Sequence, residues 1–559
     1  MTDDLTLFFD LLVHLALTGL PLAAAMLFAA RLGVRQVPLL LAVGLAVSGV
    51  TAMLAFWVFY ADPVAGKTFS YFVVFGSALL AGWSLYENRI ERALLGQLAT
   101  PLALWALGSA FLVFLGFAHG GTDSALATSA TRFSGQLPTD NDIPRFFSDW
   151  LFTHGHHGTP PIFPGEWLAS DRPPLQVGYA LLERTFAWDE TGLHYQVMGV
   201  VLQQLWIIGL WALLTAGRIG RVTRALAMLT VLLSDIAIVN GFFVWPKMLP
   251  AAMLIAASAL VLTSLWGDVR RSLWGAVLLA ALFGLAMLGH GSSVFGVIPL
   301  ALIAAFRGLP SLRWIGVGLL VGFALMSSWS AYQKYGDPPG NRLTKWYLGG
   351  VIEIDDRGVV ETIADGYGEA GLGGTIDNKV DNFVAMSGGE PMALGVKNAV
   401  RVAKAGELAD LLAEIRMILF LYLLPSLGLL LGAPIAMAVG WRRRGLNPDE
   451  WRLALACLLV FTVGAVAWAL ILFGGTLAST VIHQGCYLIP VLGLCGTAVG
   501  LRAVFPRFAV WLLGANALLT LVIYAPALEP PEGSSYSLFA VVIAAAGLAG
   551  FGATVLRAP

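Results

Sequence analysis

Fifteen stretches of sustained apolar character run along the chain, near residues 8–30, 37–60, 68–86, 97–118, 193–216, 222–243, 247–266, 273–289, 292–306, 312–332, 414–439, 451–474, 484–501, 507–527 and 537–556. None alternates polar with apolar residues as a lipid-facing barrel strand does, so each reads as a membrane helix. Some are shorter than the roughly 20 residues that cross a bilayer, and the 273–306 stretch is interrupted at Gly289-His290-Gly291. The pattern fails twice, over 119–192 and 333–413, where Gly, Pro, Asp and His accumulate. Fragments of helical period inside these gaps, Pro144 to Phe152 and Val396 to Ile415, predict ordered caps with short surface helices. The expected fold is an all-α polytopic membrane protein of about 15 transmembrane helices with two large loops on one face.

Composition agrees. Of 559 residues 58% are hydrophobic and 12% charged, half the roughly 25% charge of a soluble domain. This excludes a soluble enzyme, a single-anchor receptor and a β-barrel, and a net charge of −1 gives no footing for nucleic acid. Cys457, Cys486 and Cys495 lie in or beside apolar runs without C-x-x-C spacing, so neither a disulfide framework nor a zinc site is suggested. Met1-Thr2-Asp3-Asp4 is acidic where a cleaved leader is basic, so the first run is expected to be a permanent helix. With the N-terminus outside, eighteen arginines from Arg31 to Arg557 fall in inner connections, against Lys67 and Lys247 in the short outer ones. Positive charge stays on the cytoplasmic side. The expected topology in the plasma (inner) membrane is N-terminus out, C-terminus in, with both long loops on the outer, periplasmic face. No internal repeat is evident, so an inverted-repeat transporter is not signalled.

The first long loop carries the densest candidate chemistry. Asp140 and Asp142 precede Pro144-Arg145, where a helix is expected to start because proline suits a first turn. A carboxylate at that N-terminus is expected to be held ionised by free backbone N–H groups and can act as a general base. Paired aspartates in a proline-rich loop also serve as turn formers. Arg145 and Arg172 are fixed cations suited to a phosphate, and Pro173-Pro174 imposes an extended exit that aims Arg172. His154, His156 and His157 are more simply a solvated tract than metal ligands, and no metal is required; a divalent cation beside Asp140 and Asp142 is the alternative.

The order Asp142-Ile143-Pro144-Arg145, Gly165-Glu166-Trp167, Arg172-Pro173-Pro174-Leu175 resembles the first outer loop of the GT-C membrane glycosyltransferases, in their aminoarabinose-transferase and protein-O-mannosyltransferase branch. Those enzymes carry an Asp-Glu-Pro-Arg type motif, then Gly-Asp-Trp, then Lys-Pro-Pro-Leu. Ile143 stands in place of the second acid, and Asp140 adds one upstream. The resemblance implies that Asp142 activates the acceptor, with Asp140 the other candidate, and that Arg145 and Arg172 hold the donor phosphate. It also implies a GT-C fold, with core helices over 97–332, a second outer loop at 333–413, C-terminal helices over 414–559 and three additional helices in 1–96.

Further candidates are Lys247, which at a membrane boundary either snorkels or meets the donor phosphate, and His483 with Tyr487, which are similar to the family's late segment near that phosphate. Asp171, Arg342 and Lys345 are candidate substrate contacts, as is the intramembrane Asp235 with its neighbour Asn240. Asp10 and His14 share a helix face and are expected to pair. The expectation is an inverting glycosyltransferase moving a monosaccharide from a polyprenyl-phosphate donor to a hydroxyl of a glycan, lipid or protein. Its rivals are a polysaccharide ligase or polymerase using lipid-diphosphate glycans, and a transporter or flippase.

Overall fold

The computed structural model describes residues 2–86, 90–133, 137–163, 166–442, 446–474, 486–524 and 536–558. Among these residues the regular structure is helical, apart from one isolated bridge between Phe163 and Trp167. Every apolar run holds a helix or a bent helix pair. Among the described residues nine helices are long and apolar enough to cross a membrane, or eleven spans if each of two bent pairs counts as one. The chain is a multi-pass membrane protein by helix length and hydropathy.

The first half runs α1 (Thr2–Arg31), α2 (Val37–Ala61), α3 (Pro63–Tyr86), α4 (Arg92–Gly116), α5 (Ala125–Thr131), α6 (Ile143–His154), α7 (Leu175–Arg184), α8 (Leu193–Gln203), α9 (Trp206–Ala216), α10 (Arg221–Leu232), α11 (Asp235–Phe243) and α12 (Met248–Leu262). Local chemistry sets several boundaries. Pro38 and Pro144 sit in the first turns of α2 and α6, where a missing N–H costs nothing. Ser234 interrupts one apolar run by capping Ala237 N–H, bending α10 from α11 by 53°. Pro425 follows Leu408–Leu421 and marks a second bend, of 78°.

Four apolar helices are shorter: α12, Leu273–Gly289, Gly291–Phe306 and Leu488–Val504. The 15 residues of α12 rise about 22 Å at about 1.5 Å each, short of a hydrocarbon layer of about 30 Å. Every α12 residue is buried, so protein rather than lipid surrounds it. One end of each of these helices lies beside Lys247, His290 or Tyr487 in the chain.

The three N-terminal helices pack against the helices that follow them. α2 packs against α7, α9, α12 and Leu273–Gly289. Gly178 of α7 lies so close to α2 that a Cβ there would stand 2.1 Å from the Ala52 carbonyl oxygen, and Ser48 and Tyr179 share a 2.9 Å hydrogen bond. Gly178→Ala is expected to lower stability by about 1–3 kcal/mol through overpacking, read as a lower thermal unfolding midpoint of the detergent-solubilised protein.

Asp10 and His14 do not pair with each other. His14 Nδ1 lies 2.7 Å from Glu183 Oε2 and its Nε2 3.1 Å from His194 Nδ1, while Asp10 lies 3.7 Å from His194 Nε2. Glu183 also accepts from Thr18 at 2.6 Å. This buried chain ties α1 to α7 and α8, partners that sequence spacing along α1 does not reveal.

Among its described residues the first long loop is built from short helices. The second is more helical: Val359–Ser387, 29 residues with a break at Gly371, is followed by Gly389–Ala405. The period read from Val396 to Ile415 is split at Gly406, whose φ of 78° ends one helix before Leu408–Leu421 begins.

Candidate functional site

Pro138 is extended and feeds a 3₁₀ turn, Thr139–Asp142, that runs directly into α6. With three residues per turn, side chains two positions apart diverge widely, so the two aspartates join different networks. Asp140 is buried and accepts from Arg172 Nη2 at 2.7 Å. Asp142, less buried, lies 3.6 Å from Arg145 Nη1.

Asp142 makes no side-chain cap to α6, so the expected hold by free backbone N–H groups is not present. Burial pushes its carboxyl up from 3.8, and the charge and hydrogen bond of Arg145 oppose the rise. Arg145 itself donates to the Glu190 carbonyl at 2.6 Å and approaches Asp149, which also pairs with Arg184. Arg145, expected on the donor phosphate with Arg172, lies in the Asp142 network, while Arg172 lies with Asp140. Sequence register could not show this, because the turn that separates the aspartates also separates their partners.

Arg172 is extended, as a residue before proline must be. Its guanidinium lies 4.4 Å from the Trp167 ring centre, and Arg342 lies 5.0 Å from the same ring. Lys247 is 2% exposed, so it does not snorkel. Its ammonium lies 4.2 Å from the Trp245 ring and 5.5 Å from the Tyr487 ring, within electrostatic reach of Asp140 and Arg172. Lys247 Nζ, Arg172 Nε, Asp140 Oδ1 and the Tyr487 hydroxyl are buried without hydrogen-bond partners among the described residues. Buried polar atoms are seldom left so, and a concentration of them marks a place for water or ligand. Two basic side chains face one carboxylate, a set that suits an anion.

The second loop closes over the cluster. Arg342 donates to the Glu166 carbonyl at 2.6 Å and the Ile352 carbonyl at 2.9 Å, and lies 3.6 Å from Asp171. Burial raises the Asp171 carboxyl, against the Leu168 N–H and the charges of Arg172 and Arg342. Asp337 accepts from Ser170 N–H at 2.7 Å, a further tie between the loops. Lys345, expected as a substrate contact, is engaged: its ammonium donates to the Asp355 carboxylate at 2.5 Å and the Asp355 carbonyl at 3.0 Å. Lys345 and Arg357 together hold the Asp355 carboxyl down to about 2. Lys345→Met is expected to leave donor affinity within about twofold, since the buried ammonium is spent on Asp355 of its own loop. It is also expected to increase hydrogen exchange at 352–358; a larger loss of donor affinity contradicts the structural assignment.

Asp235 lies deeper, in the first turn of α11 at the bend, with Oδ2 unpartnered among the described residues. Tyr487 lies within electrostatic reach of it and faces Asn240, so these residues continue the polar line inward from Lys247. His483 lies outside the described residues. His154 stacks on Trp150 at 3.9 Å, and His156 Nδ1 lies 3.0 Å from the Ala61 carbonyl. Among the described residues no group of three or more His, Cys, Asp or Glu could hold a metal ion. An open groove of about 430 Å³ runs along α6, walled by Phe146, Trp150, His154, Pro161, Ile162 and Phe163, with Asp149 beside them.

One member of the cluster escaped the sequence analysis. His290, in the turn between Leu273–Gly289 and Gly291–Phe306, is within electrostatic reach of both Lys247 and Arg172. Its signal was the histidine flanked by glycines between two short apolar runs. Comparison with protein-family models, curated proteins and solved structures found no match.

Proposed function

We propose that this protein is a glycosyltransferase of GT-C type that moves a monosaccharide from a polyprenyl-phosphate donor to an acceptor hydroxyl at the outer face of the plasma membrane. The observation that carries the reading is the Arg172–Lys247–Asp140 cluster, two basic side chains on one carboxylate with orphaned polar atoms, recessed at the end of the short, buried α12. A phosphate attached to a membrane-embedded tail reaches that depth from the bilayer. In this reading all fifteen apolar runs cross the membrane, with the N-terminus outside.

Asp142 takes the acceptor proton. Its partial exposure lets a hydroxyl approach, and burial gives it more proton affinity than an ordinary carboxylate. Asp140, committed to Arg172, orients that cation instead. The acceptor oxygen attacks the anomeric carbon as the carbon–oxygen bond to phosphate breaks. Arg172 and Lys247 meet the charge that develops on the leaving phosphate. The aromatic groove along α6 suits the face of an acceptor sugar.

Mass spectrometry of polyprenyl lipids from cells carrying the native chain or Asp142→Asn tests this. Accumulation of one polyprenyl-phosphate sugar in the variant is expected; an unchanged profile with folded, abundant protein counts against it. A second reading, a polar-solute transporter, is favoured by the 53° bend with buried Asp235. It requires solute flux in proteoliposomes that Asp235→Asn abolishes.

A further inference from the structure

We propose that His290 is a neutral hydrogen-bond donor that selects the dianionic phosphate of the departing lipid over the singly charged phosphodiester of the donor. The inference rests on the transferase reading and adds a residue that the motif resemblance does not contain.

The protonation state follows from geometry. His290 Nδ1 accepts from the backbone N–H of Ser292 at 3.2 Å and lies 2.7 Å from the Ser292 hydroxyl. A backbone amide can only donate, so Nδ1 carries no proton, and the single proton of the neutral ring resides on Nε2. Nε2–H has no hydrogen-bond partner among the described residues, so this donor is left unspent.

Location follows from packing. Gly289 lies so close to α12 that a Cβ on it would stand 2.9 Å from Pro250 Cβ, three residues beyond Lys247. Gly296, in the helix after His290, is equally close to Cys486, the neighbour of Tyr487. The turn bearing His290 is therefore wedged between the segments that supply Lys247 and Tyr487, with Arg172 also in electrostatic reach. Burial first, and then the neighbouring Lys247 and Arg172, disfavour a second proton on the ring, in agreement with the neutral donor that the Ser292 N–H contact requires.

A neutral donor does different work from Lys247 and Arg172. They attract any anion; a directed N–H gains most where charge on one oxygen increases, as it does when the phosphodiester becomes a phosphomonoester. His290 transfers no proton in this step, since its loss would leave an imidazolate. It stabilises the leaving oxygen and the product alike.

The test uses the full chain in lipid nanodiscs with two probes: a polyprenyl monophosphate and the methyl phosphodiester of the same lipid, at a pH of about 8. For the wild type, tighter binding of the monophosphate is expected. His290→Ala is expected to weaken the monophosphate about tenfold or more, as for a hydrogen bond to a charged group, and the diester less than about twofold. His290→Gln, which keeps an N–H donor, is expected to recover part of the difference. Equal losses for both lipids, no loss for either, or a glutamine variant no better than alanine at matched thermal stability overturns the proposal. A wild type that binds neither lipid overturns the transferase reading instead.

Discussion

Replacing Arg172 with leucine is expected to abolish donor binding and to destabilise the protein by about 3–5 kcal/mol, the range for breaking a buried ion pair. Arg172 Nη2 is the only described hydrogen-bond donor to the buried Asp140 carboxylate, at 2.7 Å. Its removal leaves that charge beside Lys247 alone and strips the Trp167 face of one guanidinium. The double variant Arg172→Leu with Asp140→Leu separates the two effects, because an apolar pair of similar volume restores stability without restoring anion affinity. Thermal unfolding and polyprenyl-phosphate binding, measured on both variants, check it. A double variant that recovers binding removes Arg172 from the donor site. One that recovers neither property shows that the pair holds the loop fold through more than charge.

The second large effect concerns turnover. Asp142→Asn is expected to lower kcat by about a hundredfold to ten-thousandfold, the range for losing a general base, while donor affinity changes by less than about threefold. The pH profile carries more information than the loss. A base works only when ionised, so activity rises with pH through the carboxyl's own pKa and then levels. Burial places that limb above the ordinary 3.8, and Arg145 restrains the displacement. Arg145→Gln removes the restraint, so the acid limb is expected to move to higher pH with the plateau largely kept. A limb that stays in place with Arg145→Gln counts against Asp142 as the titrating group. A limb that moves instead with Asp140→Asn reassigns the base to Asp140.

The same residues show where sequence was sufficient and where it was not. The start of α6 was legible because Pro144 tolerates a first helical turn, and Arg172 was legible as an aimed cation because Pro173 forces it to be extended. The separation of Arg145 from Arg172 was not legible, because it depends on how a four-residue 3₁₀ turn directs its side chains. The partner of Lys345, Asp355 ten positions on, was not legible from spacing either. Lys247 looked like a boundary residue until α12 proved too short and too buried to bring it to a surface.

By itself, the sequence determined where the helices are and that they belong in a membrane. In hydrocarbon the backbone must satisfy its own polar groups, so long unbroken apolar runs have little alternative to helix. Local stereochemistry, through Pro38, Pro144, Pro173 and Ser234, set many of their ends. Only the tertiary structure decided which charges meet. Asp140, Arg172, Lys247, His290 and Tyr487 are scattered over some 350 positions of the chain, and no periodicity relates them. Their meeting depends on the order of helices around the bundle, on close contacts such as Gly289 against Pro250, and on three N-terminal helices that seat α7 from within. Burial follows from that packing, and with it the proton affinity of Asp142 and the unpartnered polar atoms beneath it.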